Sequence, residues 1–159
     1  MMMYSTHCLV NVIAGEAGAS QRGRRWAARL GGAAWLALVG AVAMTAWDLS
    51  MDPVMVRLGA WVCHVPGPYF GITLRNYLGW LETTFVVFLL YRLFEGRWPA
   101  RPNSSLAFAY LPVVAYAFTW LRATADNLLN GDPALGLIAF FAMGSFVLAA
   151  LTALFARRQ

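Results

Sequence analysis

The stretch WDLSMDPVMVRLGAWVCHVPGPYFGITLRNYLGWLE, residues 47–82, decides how this chain is interpreted. It places carboxyl groups among aromatic side chains, and long apolar runs lie on both sides of it. Ionisable groups at the ends of membrane helices cost free energy, so by default they indicate a functional site. The stretch therefore predicts a pocket that suits acid chemistry on an apolar substrate. The candidate catalytic residues are Asp48, Asp52, Asn76 and Glu82, and the candidate substrate-binding residues are Trp47, Trp61, Tyr69, Phe70, Trp80 and Arg75.

Composition places the chain among membrane proteins. Its 159 residues are 60% hydrophobic and 12% charged, with a mean hydropathy of +0.59, whereas a soluble domain carries about 25% charged residues. The net charge of +5 comes from arginine, since there is no lysine. These arginines flank apolar runs and form no patch with interleaved aromatics, so we expect a lipid bilayer and no nucleic acid as partner.

The two cysteines indicate neither a disulfide framework nor a metal site. Cys8 and Cys63 form no CxxC pair. A zinc site at Cys63 and His64 would need further ligands, and His7 and Cys8 are the other candidates. We therefore expect no metal site.

Four apolar segments are each close to the ~20 residues needed to cross the hydrocarbon of a bilayer. They run from Ala27 to Leu49, from Asn76 to Phe94, from Ser104 to Leu121 and from Pro133 to Phe155. They predict an all-α polytopic membrane helix bundle over residues 27–159, with about four transmembrane helices. Apolar positions at helical spacing in Pro53 to Val62 add a short interfacial helix.

Residues 1–26 are predicted to be a disordered cytoplasmic tail. The apolar stretch from Cys8 to Ala14 is short, and the basic cluster follows it instead of preceding it, unlike a secretory signal.

Arginine distribution predicts the orientation in the cell membrane. With a cytoplasmic amino end, the inside holds Arg22, Arg24, Arg25, Arg29, Arg92, Arg97, Arg101, Arg157 and Arg158, and the outside holds Arg57, Arg75 and Arg122. This bias agrees with the positive-inside rule and places both termini in the cytoplasm. Asp48 and Asp52 then lie toward the outer side.

Small residues recur every four positions on two of the predicted helices. They are Ala33, Ala37, Ala41 and Thr45 on the first, and Ser145, Ala149 and Ala153 on the fourth. Such stripes favour close helix packing in lipid, although general alanine richness is an equal explanation.

Each candidate polar residue has a structural alternative. Asp48 and Asp52 share a face if one helix continues through both, but Asp52 can instead cap a new helix that begins at Pro53. Asn76 can cap the second membrane helix. Glu82 lies about 9 Å further along that helix, deep for a surface charge. On the third helix Arg122 can pair with Asp126 or orient Asn127.

The turn Val65–Gly71 contains two prolines and two glycines. Irregular backbone at membrane depth is tolerated against protein or a cavity, so the turn either holds Tyr69 and Phe70 as a pocket wall or is an ordinary surface loop.

Several of these residues keep the order and spacing of a family signature. They are Trp47-Asp48-Leu49, Met51-Asp52-Pro53-Val54-Met55, Gly59-Ala60-Trp61, Gly67-Pro68-Tyr69-Phe70-Gly71-Ile72 and Asn76-Tyr77-Leu78-Gly79-Trp80. This pattern resembles the carotenoid-biosynthesis membrane proteins of the CruF type, the carotenoid 1,2-hydratases, which include the bisanhydrobacterioruberin hydratases. The signature covers roughly a quarter of the chain and resembles the C-terminal part of such a protein, since family members usually have membrane segments upstream of it.

The resemblance implies addition of water across the terminal C1–C2 double bond of an acyclic carotenoid, without redox cofactor or metal. A carboxylic acid protonates the alkene, aromatic faces stabilise the tertiary cation, and water attacks it. Asp48 or Asp52 is the expected proton donor, with the other carboxyl group and Asn76 holding water. Glu82 lies outside the quoted pattern, and Cys63 and His64 depart from it where aromatic or apolar residues are expected.

A second function class stays open, a non-catalytic membrane subunit or degenerate paralogue that binds a polyisoprenoid. The short chain is expected to be a natural short form, a fragment or one product of a split gene. It then acts alone, as a homo-oligomer or with an upstream-half partner.

Overall fold

Five α-helices make up the described part of the chain. They are α1 (Met2–Ile13), α2 (Trp26–Arg57), α3 (Leu74–Glu95), α4 (Leu106–Asn130) and α5 (Pro133–Ala156). The structure, a computed structural model, describes residues 2–14, 26–60, 62–95, 106–130 and 132–156, and for residues 26–29 and 106–109 it describes the backbone alone. The predicted all-α bundle is confirmed.

The helices α2 and α3 pack antiparallel. Asn76, near the start of α3, donates a hydrogen bond to Asp52, near the end of α2. Further along α3, Phe88 packs against Ala37 and Met44, which lie closer to the start of α2. The connection between the two helices, residues 58–73, therefore lies at the end of the bundle that carries Asp52.

The helices α4 and α5 form a second antiparallel pair. Trp120 Nε1 donates to the carbonyl of Phe140 at 3.0 Å, and its indole lies flat against Gly144, where a Cβ atom would be 3.1 Å from the ring. The pair packs against α2, and two hydrogen bonds among the described residues link α2 to α4. Tyr116 donates to the carbonyl of Ala43 at 2.8 Å, and Arg57 donates to Asn127 at 3.2 Å. The four long helices thus alternate in direction.

Three of the described helices are long and apolar enough to cross a membrane: α2 from Leu30 onward, α3 and α5. The helix α4, whose side chains are described from Tyr110 onward, does not meet these limits within that part. It also extends to Asn130, well beyond the predicted limit at Leu121. The reason is local, because Arg122 pairs with Asp126 at 3.1 Å on the exposed side while Thr124 and Asn127 are buried. The helix therefore continues past its first charged residue.

The first long helix continues past its predicted end at Leu49 to Arg57, with Pro53 inside it. Asp52 is therefore neither a cap nor the start of a separate interfacial helix over residues 53–62, and that expectation is wrong for residues 53–57. Since the helix is continuous, Asp48 and Asp52 share one face, as the alternative interpretation predicted.

The prediction of a disordered tail is wrong for residues 2–13. They form α1, which packs against α2, α4 and α5. Leu9 and Val12 belong to the main buried cluster together with Tyr116, Met143 and Leu154. A 12-residue helix is marginal on its own, and at about 18 Å it is too short to span the hydrocarbon, so tertiary burial stabilises it. Residues 15–25 of the predicted tail lie outside the described residues.

The predicted stripes of small residues are buried only in part. On α2, Ala37 and Ala41 are fully buried, whereas Ala33 and Thr45 are half-buried. On α5, Ser145 is exposed and Ala153 is half-buried against the main cluster. The small residue of α5 that admits the Trp120 indole is Gly144, which lies outside the predicted stripe.

Replacing Leu9 with alanine should destabilise the whole bundle. The side chain is fully buried in the main cluster, and removing such a leucine costs about 2–5 kcal/mol. Thermal unfolding in detergent, followed by circular dichroism, should show a lower Tm than for Leu129→Ala, whose side chain is 81% exposed. Equal Tm values would show that α1 does not belong to the core.

Candidate functional site

Two buried carboxyl groups define the candidate site. Asp48 is fully buried and Asp52 is 2% exposed, and they lie close enough for their charges to interact. Asp52 Oδ2 accepts a hydrogen bond from Asn76 Nδ2 at 2.6 Å. Asp52 Oδ1 and both oxygens of Asp48 are buried without a hydrogen-bond partner among the described residues. Since buried polar atoms are normally hydrogen-bonded, this arrangement points to function.

Asn76 is not a helix cap. The helix α3 begins at Leu74, so Asn76 lies inside its first turn, and its side chain reaches across to α2. Asn76 is exposed on its other side. The hydrogen bond therefore lies at the boundary of the bundle, whereas Asp48 lies in its interior.

Pro53 links the helix to the loop that covers the site. Proline has no N–H, so it leaves the carbonyl of Leu49, four residues earlier, without its helical donor. The hydroxyl of Tyr69 donates to that carbonyl at 2.8 Å. Burial raises the pKa of Tyr69 to about 12, which keeps this hydroxyl protonated as a donor. The proline therefore creates the attachment point for the loop one residue from Asp48.

The turn that carries Tyr69 is tightly folded. Gly67 donates to the carbonyl of Gly71 at 3.0 Å, and Ile72 donates to the carbonyl of Tyr69 at 2.8 Å. Phe70 adopts a φ of 47°, a left-handed conformation that is uncommon for a bulky residue. Strain of this kind persists where the surroundings hold it in place. The turn is therefore a fixed part of the site.

Three aromatic rings meet beside the carboxyl groups. The ring of Tyr69 packs edge-on against Phe70, with centroids 4.9 Å apart, and against Tyr77 at 5.2 Å. Tyr77 is 7% exposed, and its hydroxyl is buried without a partner in the described part of the chain. Hereafter the carboxyl site means Asp48, Asp52, Asn76, Tyr69 and Tyr77.

The other predicted site residues differ in their surroundings. Trp47 packs between the two buried clusters of the core. Trp80 is 38% exposed and Arg75 is exposed. Trp61 lies outside the described residues.

Glu82 is not brought to the carboxyl groups. Its exposed side chain lines an open groove of about 610 Å³ between α2 and α3. This α2–α3 groove is lined by Gly31, Ala34, Trp35, Leu38, Leu78, Leu81, Glu82 and Phe85.

Sequence reasoning missed Tyr77, which belongs to the carboxyl site, and Tyr116, which lies near Asp48. Tyr77 was quoted within a motif but given no role, although it directly follows Asn76. Tyr116 is fully buried in α4, bonds to the carbonyl of Ala43 and lies within electrostatic range of Asp48. No local signal marked Tyr116, because its role depends on how α4 packs against α2.

A second polar cluster joins α1 to the end of α3. His7 is 4% exposed and lies 3.2 Å from a carboxylate oxygen of Glu95. Asn11 contacts the same histidine nitrogen at 3.1 Å and accepts a hydrogen bond from Arg92 at 3.0 Å. This cluster attaches α1 to α3 through polar contacts. Within the described ranges, no three His, Cys, Asp or Glu side chains are grouped so that they could hold a metal ion.

An apolar bundle with a buried carboxyl pair at one end defines a helical membrane protein with an internal polar site. A family model described as carotenoid biosynthesis protein matches residues 1–151, and the match includes α1. The chain therefore belongs to this family and has a role in carotenoid biosynthesis. Neither a curated protein nor a solved structure matches it.

Replacing Gly67 with alanine should disrupt the turn, because a Cβ atom there would collide with the backbone of Ile72 and Thr73. We expect a loss of roughly 1–3 kcal/mol, seen as a lower Tm in detergent. Gly79→Ala is the matched control, since a Cβ at Gly79 meets nothing within 4 Å. A Gly67→Ala variant as stable as Gly79→Ala would mean that the turn is not held rigidly.

Proposed function

We propose that this protein adds water across the terminal C1–C2 double bond of an acyclic carotenoid by acid catalysis. The observation that carries the proposal is the pair of buried carboxyl groups on one face of α2, of which only Asp52 is hydrogen-bonded among the described residues. The family match supports a carotenoid as the substrate class. Hydration leaves the substrate's overall oxidation level unchanged, so it requires a proton, a water molecule and a base.

Asp48 is the proposed proton donor. It is fully buried, and no cation or hydrogen-bond donor in the described structure compensates a charge on it. Burying an unpaired carboxylate is costly, and a second carboxylate one helical turn away adds repulsion. This environment favours the neutral acid, the form that can protonate C2 of the alkene. The C1–C2 π electrons form the new C–H bond, and a tertiary cation remains at C1.

Asp52 is the proposed base. Hydrogen bonding to a carboxylate favours its charged form, and the Asn76 amide supplies such a bond at 2.6 Å. When water attacks C1, its surplus proton passes to Asp52, and proton transfer from Asp52 back to Asp48 completes the cycle. The net change is one water added, with both carboxyl groups restored.

Aromatic rings are the proposed stabilisers of the cation. The hydroxyl of Tyr69 bonds to the carbonyl of Leu49, directly after Asp48, and the ring of Phe70 packs against that of Tyr69. Aromatic faces attract positive charge. The roles of Trp47, Trp61, Trp80 and Arg75 in substrate binding stay predictions, as does a catalytic role of Glu82. So does the orientation in the cell membrane with both termini cytoplasmic.

One observation favours the second candidate function, a non-catalytic subunit that binds a polyisoprenoid. The α2–α3 groove is open and almost wholly apolar, so it can accept an isoprenoid chain without any chemistry at Asp48. Binding is common to both functions, and turnover separates them.

Expression in a lycopene-producing bacterium should yield a new pigment heavier by one water, detected by chromatography with mass spectrometry. Asp48→Asn should lower its amount about 100-fold or more, the usual size of a general acid contribution. The matched control is Asp126→Asn, because Asp126 is exposed and paired only with Arg122 in the described structure. Immunoblots of the membrane fraction should show equal protein for all three.

Two outcomes would contradict the proposal. If wild type leaves lycopene unchanged, yet the purified protein retains the pigment, the protein is a binding subunit. If Asp48→Asn forms as much product as wild type, Asp48 is not the donor.

A further inference from the structure

Four oxygen atoms of the carboxyl site share an unusual property. Asp48 Oδ1, Asp48 Oδ2, Asp52 Oδ1 and the hydroxyl of Tyr77 are all buried, and none has a hydrogen-bond partner within the described residues. A buried polar atom that is left without a hydrogen bond destabilises the folded protein. A cluster of them on two helices therefore needs a reason.

The fold brings these atoms to one place. Tyr77 follows Asn76, whose amide bonds to Asp52 across the helix interface. The ring of Tyr77 packs on Tyr69, whose hydroxyl bonds to the carbonyl of Leu49 directly after Asp48. The hydroxyl of Tyr77 lies within electrostatic range of both carboxyl groups. Tyr77 of α3 and the carboxyl pair of α2 therefore lie at one helix interface.

The chemistry of this cluster fits a small ligand that both donates and accepts hydrogen bonds. The carboxylate oxygens accept, and the phenol donates. A buried water makes two to four such bonds to otherwise unsatisfied polar groups. Asp48, Asp52 and Tyr77 can supply that number.

We propose that Tyr77 is a positioning residue that, together with the two carboxyl groups, holds the water molecule that becomes the hydroxyl of the product. This inference rests on the proposed function. The phenol donates to the water oxygen, the water donates to Asp52 Oδ1, and a remaining lone pair on the oxygen attacks C1. The new C–O bond forms as the proton passes to Asp52, while Tyr77 keeps its own proton throughout.

The role of Tyr77 can be separated from that of the acid. Without a positioned water, the cation still forms but loses a proton again, which returns an alkene. In D₂O that return leaves deuterium in the recovered carotenoid. Tyr77→Phe should therefore lower hydration about tenfold, the effect of one hydrogen bond of about 1.4 kcal/mol, while deuterium still enters the recovered carotenoid.

The experiment uses membranes that contain the full chain, incubated with lycopene in D₂O, with mass spectrometry of both product and recovered substrate. The matched control is Tyr91→Phe, because Tyr91 lies on the same helix and is 45% exposed. It should match wild type in both measurements.

The outcomes separate this inference from the proposed function. Wild type that neither hydrates lycopene nor exchanges deuterium overturns both. Wild type that hydrates, with Tyr77→Phe hydrating equally well, overturns the positioning role alone. A parallel loss of hydration and exchange in Tyr77→Phe shows a purely structural role and also overturns it.

Discussion

The hydrogen bond between Asn76 and Asp52 is the contact on which the arrangement at this end of the bundle depends. It joins the start of α3 to the end of α2 at 2.6 Å, and so it sets how the two helices face each other after the connecting loop. It also satisfies one of the four carboxyl oxygens in the site and leaves the other three without partners among the described residues. The asymmetry between two otherwise similar aspartates follows from this one bond. Pro53 leaves the carbonyl of Leu49 without its helical donor, and the hydroxyl of Tyr69 bonds to it. This bond attaches the loop to the same turn of α2.

Sequence reasoning could predict the features that depend on local sequence patterns. Long apolar runs predicted the all-α membrane bundle, and the four-residue spacing of Asp48 and Asp52 predicted that they share a face. The link between Asn76 and Asp52 was not predictable as a contact, because Asn76 near a helix start fits a cap equally well. Its true role depends on the antiparallel packing of α2 and α3.

The errors have a common physical origin in tertiary packing. The helix α1 looked like a disordered tail because its apolar stretch is too short to span a membrane, but the bundle buries Leu9 and Val12. The third helix was expected to end at Leu121, before Arg122, but the Arg122–Asp126 pair keeps both charges on the exposed side of α4. Glu82 looked like part of the pocket by depth along α3, yet it faces the α2–α3 groove. Depth along a helix does not fix direction around it.

The position of α1 also constrains the order of assembly. Leu9 shares a buried cluster with Leu154 of α5, so α1 buries its full apolar face only when α5 is in place. At translation rates of about 5–20 residues per second, the start of α5 is made about 6–24 seconds after the end of α1. During that interval α1 is too short to insert across the bilayer and lacks much of its packing surface. The packing of α1 is therefore completed only after α5 is made, and synthesis interrupted before α5 leaves the main buried cluster unfinished.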